Sequence, residues 1–210
     1  MANKLNYGYE LAYQLACDKL NQVDNIDDLC LRSGAQCQST DLKKTITVCY
    51  LNRSYQVNVP GGQISAAGSK EEVLVRERIL ILHYLIQAKG TPPSRRLIAY
   101  KELPEGPVYF PTFAKRAIKP LVDNFGQNPA LLKDVVADLG AYPADIADVS
   151  VTINAFPKVP ITLALWQGDA EFPAEGSILF DTNITDYLTT EDINVLCEII
   201  AWKLVKRLEK

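Results

Sequence analysis

Residues 156–193, FPKVPITLALWQGDAEFPAEGSILFDTNITDYLTTEDI, carry an apolar segment into a loop of clustered acids and aromatics and then into a capped helix. Within this stretch Ile161, Leu163 and Leu165 alternate with Thr162 and Ala164, the two-residue period of a strand. Just upstream, Val151, Ile153 and Ala155 alternate with Thr152 and Asn154, so Pro157-Lys158-Val159-Pro160 reads as the join between two antiparallel strands. Ser177–Phe180 supplies a third strand. Thr189 or Thr190, followed by Glu191 and Asp192, then caps a helix running through Trp202 into Lys203, Lys206 and Arg207, with charges suited to both ends of its dipole.

Working outward, Tyr9, Ala12, Leu15, Ala16 and Leu20 recur at helical spacing, and a short helix over Asn25–Arg32 is stopped by Gly34. Thr45–Leu51 and Tyr55–Val59 form a hairpin across Asn52-Arg53, ended by Pro60-Gly61-Gly62. Glu71–Lys89, apolar on nearly every side between Val73 and Ile86, is the buried central helix. Leu97–Tyr100 is a short strand, Pro120 divides a helical stretch that starts at Pro111, and Asn128-Pro129 opens a helix reaching Gly140. The class expected is α+β: antiparallel elements from an N-terminal hairpin and C-terminal strands, packed with a central helix and several flanking helices. One domain spans residues 1–210, with two packed lobes near 1–68 and 69–210 as the finer division.

The chain has 210 residues, 48% hydrophobic and 22% charged, a globular balance that supports a full core. A net charge of −3 gives no general attraction to nucleic acid or an anionic membrane. Five cysteines, an odd number, and an N-terminus without a cleavage pattern place the protein in a reducing cytoplasm. The spacings among Cys17, Cys30, Cys37 and Cys49 lack the two-residue step that chelates zinc or iron–sulfur clusters.

The glycine-rich loop Pro60–Lys70 fails as a phosphate cradle, because five residues separate Gly62 from Gly68 and Ser69 precedes Lys70. His83 is the single histidine, so no histidine triad or multi-histidine metal site can form within one chain. On its own it reads either as an axial ligand to a tetrapyrrole metal or as a core histidine. Asp169, Glu171, Glu175 and Asp181 cluster around Trp166, Phe172 and Phe180 and form either an acid–base pair or a turn-capping group pinned by aromatics. Tyr100, Tyr109, Phe110 and Phe113 line a flat-ligand pocket or pack. No known catalytic motif occurs, and no catalytic or metal-binding residue is assigned.

Ile81–Leu85, Lys101–Pro104, Phe113, Arg116, Pro120-Leu121, Phe125-Gly126, Pro160–Trp166, Asp169–Pro173, Ile178–Asp181 and Tyr187–Asp192 together resemble a family of anaerobic bacteria and archaea known only as a domain of unknown function. Its members occur alone or behind an iron–sulfur domain like that of corrinoid iron–sulfur proteins. The resemblance implies a non-catalytic binding protein for a corrinoid, cobalamin-like, or another tetrapyrrole of one-carbon metabolism. The expected binding residues are His83, Tyr109, Phe110, Phe113, Trp166, Asp169, Glu171 and Phe172. The alternative it implies is an interaction module that docks on iron–sulfur or methyl-transfer proteins and holds no small molecule.

Overall fold

The computed structural model describes residues 2–40 and 43–208, which divide into two compact units. Unit 1 comprises Met1–Pro92 with Phe156–Lys158 and Asp186–Leu188; unit 2 comprises Pro93–Ala155, Val159–Thr185 and Thr189–Lys210. Each contains one antiparallel sheet and its own helices, so the class is α+β.

Unit 1 begins with helices α1 (Ala2–Asn21) and α2 (Ile26–Ser33). Asn25 caps α2, its side chain accepting the Asp28 N–H at 2.9 Å, and Gly34 ends it at φ 70°, a value open to glycine without a Cβ clash. Strands β1 (Gln36–Thr40), β2 (Lys43–Tyr50), β3 (Arg53–Val59) and β4 (Ile64–Ala66) follow as a sheet in chain order. Ile46, Val48, Tyr50, Tyr55 and Val57 are buried, as the alternation requires. The β2–β3 turn falls one residue earlier than expected, on Leu51 and Asn52 at φ 47° and 62°, the double positive φ that a two-residue hairpin needs. β1 and β4 escape the sequence pattern because β1 is polar and largely exposed and β4 has three residues.

Helix α3 (Val75–Gln87) is the central helix, burying Ile79–Leu82, Tyr84 and Leu85. It starts later than Glu71, because Leu74 has extended backbone and leaves Glu71 and Glu72 outside the first turn. Phe156 and Tyr187 sandwich the ring of Tyr84, with centroids 4.1 Å and 5.7 Å away and planes 8° and 23° apart. Its hydroxyl donates to the Ser33 carbonyl at 2.5 Å. Two short segments distant in sequence thus complete the core of unit 1.

Unit 2 contains strand β5 (Leu97–Ala99), helix α4 (Gly106–Phe113), a π-helical turn over Ala114–Ile118, and helices α5 (Lys119–Phe125) and α6 (Leu131–Val135). Strands β6 (Tyr142–Ala144), β7 (Val149–Phe156), β8 (Val159–Trp166) and β9 (Glu175–Asp181) and helix α7 (Thr190–Leu208) complete it. The sheet order is β5-β9-β8-β7-β6, with Leu163 opposite Ile178 and Ile98 opposite Phe180. The expected helix to Gly140 is interrupted: α6 covers five residues, and a 3-10 turn over Ala137–Leu139 precedes Gly140 at φ 63°.

Helix α7 starts with a reciprocal cap. Thr189 Oγ1 donates to Asp192 Oδ2 at 2.7 Å and accepts the Asp192 N–H at 3.1 Å. Ile193, Leu196, Cys197, Ile200, Ala201 and Leu204 form its buried stripe. Asp181, at the end of β9 and 2% exposed, gathers the Ser94 N–H and Oγ at 2.9 and 3.0 Å, the Arg95 N–H at 2.6 Å and the Asn183 N–H at 3.0 Å. Burial alone would raise its carboxyl pKa; the N–H bonds from Ser94, Asn183 and Arg95 outweigh burial and hold it below the ordinary aspartate value. One carboxylate thereby fixes the loop before β5.

Candidate functional site

The α4–α5 run carries the most unusual backbone in unit 2. Proline at 111 and at 120 removes two amide donors from what would otherwise be one helix, and the ring at 120 conflicts with the carbonyl four residues before it. A wider turn relieves that conflict. The Lys119 N–H bonds the Ala114 carbonyl, five residues back, and the chain continues as helix on both sides. π-Turns inside helices recur at functional sites, and this one borders an open groove.

The groove, about 500 Å³, is lined by Pro111, Thr112, Lys115 and Arg116 of this run and by Trp202 of α7. Trp202 is 47% exposed although its neighbour Ala201 is buried, so the indole sits on the outer side of the helix. The Arg116 guanidinium lies 3.9 Å from the Glu198 carboxylate, one turn before Trp202. Lys115 is exposed and forms no ion pair among the described residues. Val108 and Tyr109 in the first turn of α4 are 77% and 50% exposed. Two cations, an indole and a run of exposed apolar side chains therefore share the helical layer of unit 2.

The residues singled out in the sequence are distributed over several places. Phe113 is fully buried, with Tyr100 stacked 3.9 Å away and Phe180 at 6.3 Å, so its ring is part of the core. Burial also pushes the Tyr100 phenol up to about 12. Phe110 is half-buried beneath the Lys101 ammonium, 4.2 Å from its ring centre, and Tyr109 is on the surface. Trp166 ends β8 half-exposed, and Phe172 projects at 67% exposure.

The loop between them is held by backbone. Asp169 Oδ1 accepts the Glu171 and Phe172 N–H groups at 2.8 and 2.7 Å, and these bonds, Phe172 first, keep its carboxyl below the ordinary aspartate range. The Gly168 N–H bonds the Gly126 carbonyl at 3.2 Å, fastening the loop to the end of α5. Asp169 is committed to an Asx turn at the surface, and Glu171 is exposed beside it. The acid–base reading of this pair is therefore dropped. Tyr109 and Gly126 are seventeen positions apart along near-continuous helix, about 25 Å at helical rise, so the α4 aromatics and the Trp166–Phe172 loop mark opposite ends of that run. His83, half-buried on α3, belongs to unit 1, whereas the other seven belong to unit 2.

Among the described residues, no three His, Cys, Asp or Glu side chains are grouped to hold a metal ion, and no helix is long and apolar enough to cross a membrane. Residues 25–202 match the family described as domain of unknown function DUF3786. The chain belongs to the DUF3786 family. No curated protein and no solved structure matches it. In this DUF3786 chain, sequence reasoning missed Trp202, Lys115 and the groove they line. The available signal was a pair of prolines nine residues apart in one helical stretch, together with a tryptophan outside the apolar stripe of the last helix.

Proposed function

We propose that this chain is a non-catalytic interaction module that docks an acidic, apolar-tipped segment of a partner protein into the Trp202 groove. The supporting observation is the half-exposed indole beside Lys115 and Arg116 in an open groove of about 500 Å³. An exposed tryptophan next to cations suits a partner side chain that buries against the ring while a neighbouring carboxylate meets the ammonium or guanidinium. The chain as a whole carries a net charge of −3, so this cationic lip is a local departure that favours an anionic segment. Proteins of iron–sulfur and methyl-transfer systems, implied by the family resemblance, are the first partners to try.

Random-peptide display on the folded protein, counter-selected on Trp202→Ala, tests the reading. Enriched peptides should combine at least one carboxylate with an aromatic or aliphatic residue. Enrichment of basic peptides, or none that depends on Trp202, would refute it. A second reading, a tetrapyrrole holder, draws on the same indole and cations as an aromatic wall with partners for ring carboxylates. Haem and hydroxocobalamin titrated into the protein separate the two: a visible-band shift abolished by Trp202→Ala would replace docking with macrocycle binding.

A further inference from the structure

Unit 2 has a second concavity where the chain passes from α6 into its sheet. After α6, Gly140 at φ 63° reverses the chain, and β6 with the turn at 145–148 then leads into β7. These segments line a cavity of about 400 Å³ that shares no lining residue with the Trp202 groove. Val136, Val149 and Val151, all buried, and the half-exposed Tyr142 give it apolar walls, while Lys133 and Asp145 bring one ammonium and one carboxylate to it. Both charged residues are exposed, and neither side chain forms an ion pair or hydrogen bond among the described residues. The remaining charged lining residue is already engaged, because Asp148 Oδ2 accepts the Gln167 N–H at 2.9 Å. Ser150 Oγ donates to the Ala144 carbonyl at 2.7 Å and accepts the Ile146 N–H at 3.2 Å, so the turn that forms one wall is held in place by the fold itself. β6 is an edge strand, but Pro143 at its centre has no N–H to offer an added strand, which favours a small molecule over an extended peptide.

We infer that this cavity binds a free α-amino acid with an apolar side chain, its carboxylate on Lys133, its ammonium on Asp145 and its side chain against Tyr142 and the valines. Opposite charges that line one cavity without pairing to each other are complemented by a molecule that carries both signs. A simple anion would meet Asp145 as well as Lys133, and a simple amine would meet Lys133 as well as Asp145, so each is rejected by one of the two groups. With Asp148 and Ser150 engaged in holding the turn, the walls beyond the charges favour hydrocarbon, and the Tyr142 ring suits an aliphatic or aromatic side chain. The cavity falls at the small end of the roughly 300–1,000 Å³ range of small-molecule sites, a size for one amino acid. Because both charges sit at the rim in contact with water, each contact alone is modest, and binding needs both of them together with the apolar burial. Docking at the Trp202 groove neither requires nor prevents it.

The test uses the full chain and NMR, with L-leucine and L-phenylalanine as probes. Isocaproate, which is leucine without its ammonium, and isoamylamine, which is leucine without its carboxylate, serve as controls. Saturation applied to the protein should transfer to the side-chain protons of at least one of the two amino acids. Titration should give that amino acid an affinity about fivefold or more above either control, and Lys133→Ala and Asp145→Asn should each weaken it by about the same factor. A control that binds as tightly as the amino acids, an affinity unchanged in either variant, or no transfer to either amino acid at millimolar concentration would overturn the proposal. Circular dichroism confirms that the variants are folded; Lys133→Met or Asp145→Ala replaces one that is not, and the comparison of leucine with its two controls needs no variant.

Discussion

Replacing Asp181 by alanine removes a carboxylate that accepts from three backbone N–H groups and one hydroxyl, in a residue 2% exposed. The buried Asn183 N–H loses its carboxylate acceptor, at about 2 kcal/mol; the Ser94 and Arg95 N–H groups sit nearer water and lose about 1 kcal/mol each, so the total is about 4 kcal/mol. The carboxyl pKa is lowered in the folded state, so its stabilisation is complete above the unfolded value of about 4 and disappears as pH falls through the folded value. The gap between wild type and Asp181→Ala must therefore narrow in acid. Urea titration reports it well: Trp166 and Trp202 both lie in unit 2, so indole fluorescence follows the unit that contains Asp181. The midpoint at pH 7 should drop by the amount that corresponds to about 4 kcal/mol, with unchanged slope. A loss below about 1 kcal/mol, or a loss just as large at pH 3, would refute the reasoning.

Tyr84→Phe keeps the sandwich with Phe156 and Tyr187 but strands the Ser33 carbonyl, and thermal unfolding should show a loss of about 1–2 kcal/mol, against about 3–5 kcal/mol for Tyr84→Ala. Gly126→Ala would place a Cβ 2.5 Å from the Val122 carbonyl oxygen and 2.6 Å from the Ala174 Cβ, so denaturant titration should register about 1–3 kcal/mol and proteolysis should cut the Gly168–Ala174 loop faster. Trp202→Ala, which deletes an indole that is 47% exposed and otherwise buried, should cost about 1–3 kcal/mol in the same titration, so groove binding is compared without denaturant at a temperature where both proteins are folded.

Local chemistry made much of this fold legible. Asn25 and Gly34 bound α2, Thr189 and Asp192 start α7, and the alternation from Val149 to Trp166 locates the two central strands. Two polar positions of that alternation are buried as well. Thr152 and Thr162 are buried, their hydroxyls 2.8 Å apart, because each satisfies the other and needs no solvent. Edge strands β1, β4 and β6 carry no apolar period to read. The site was harder still. Phe113 looked like a ligand-facing ring, but Tyr100 and Phe180 cover it, a contact between elements that no local window contains. Trp202 was legible as the end of a helix, and its exposure became visible only once the buried stripe of α7 was placed.

The central claim, that the Trp202 groove receives an acidic segment, rests on an indole and two cations acting together. The most direct measurement is a fluorescence titration of Trp166→Phe protein, in which Trp202 is the single reporter, with an enriched acidic peptide at low and high salt. Binding should shift the indole emission, weaken as salt rises, and fall by about tenfold or more, about 1.4 kcal/mol, in Lys115→Glu/Arg116→Glu. Undiminished affinity in the charge-reversed protein, or an emission from Trp202 that the bound peptide leaves unchanged, would contradict the account.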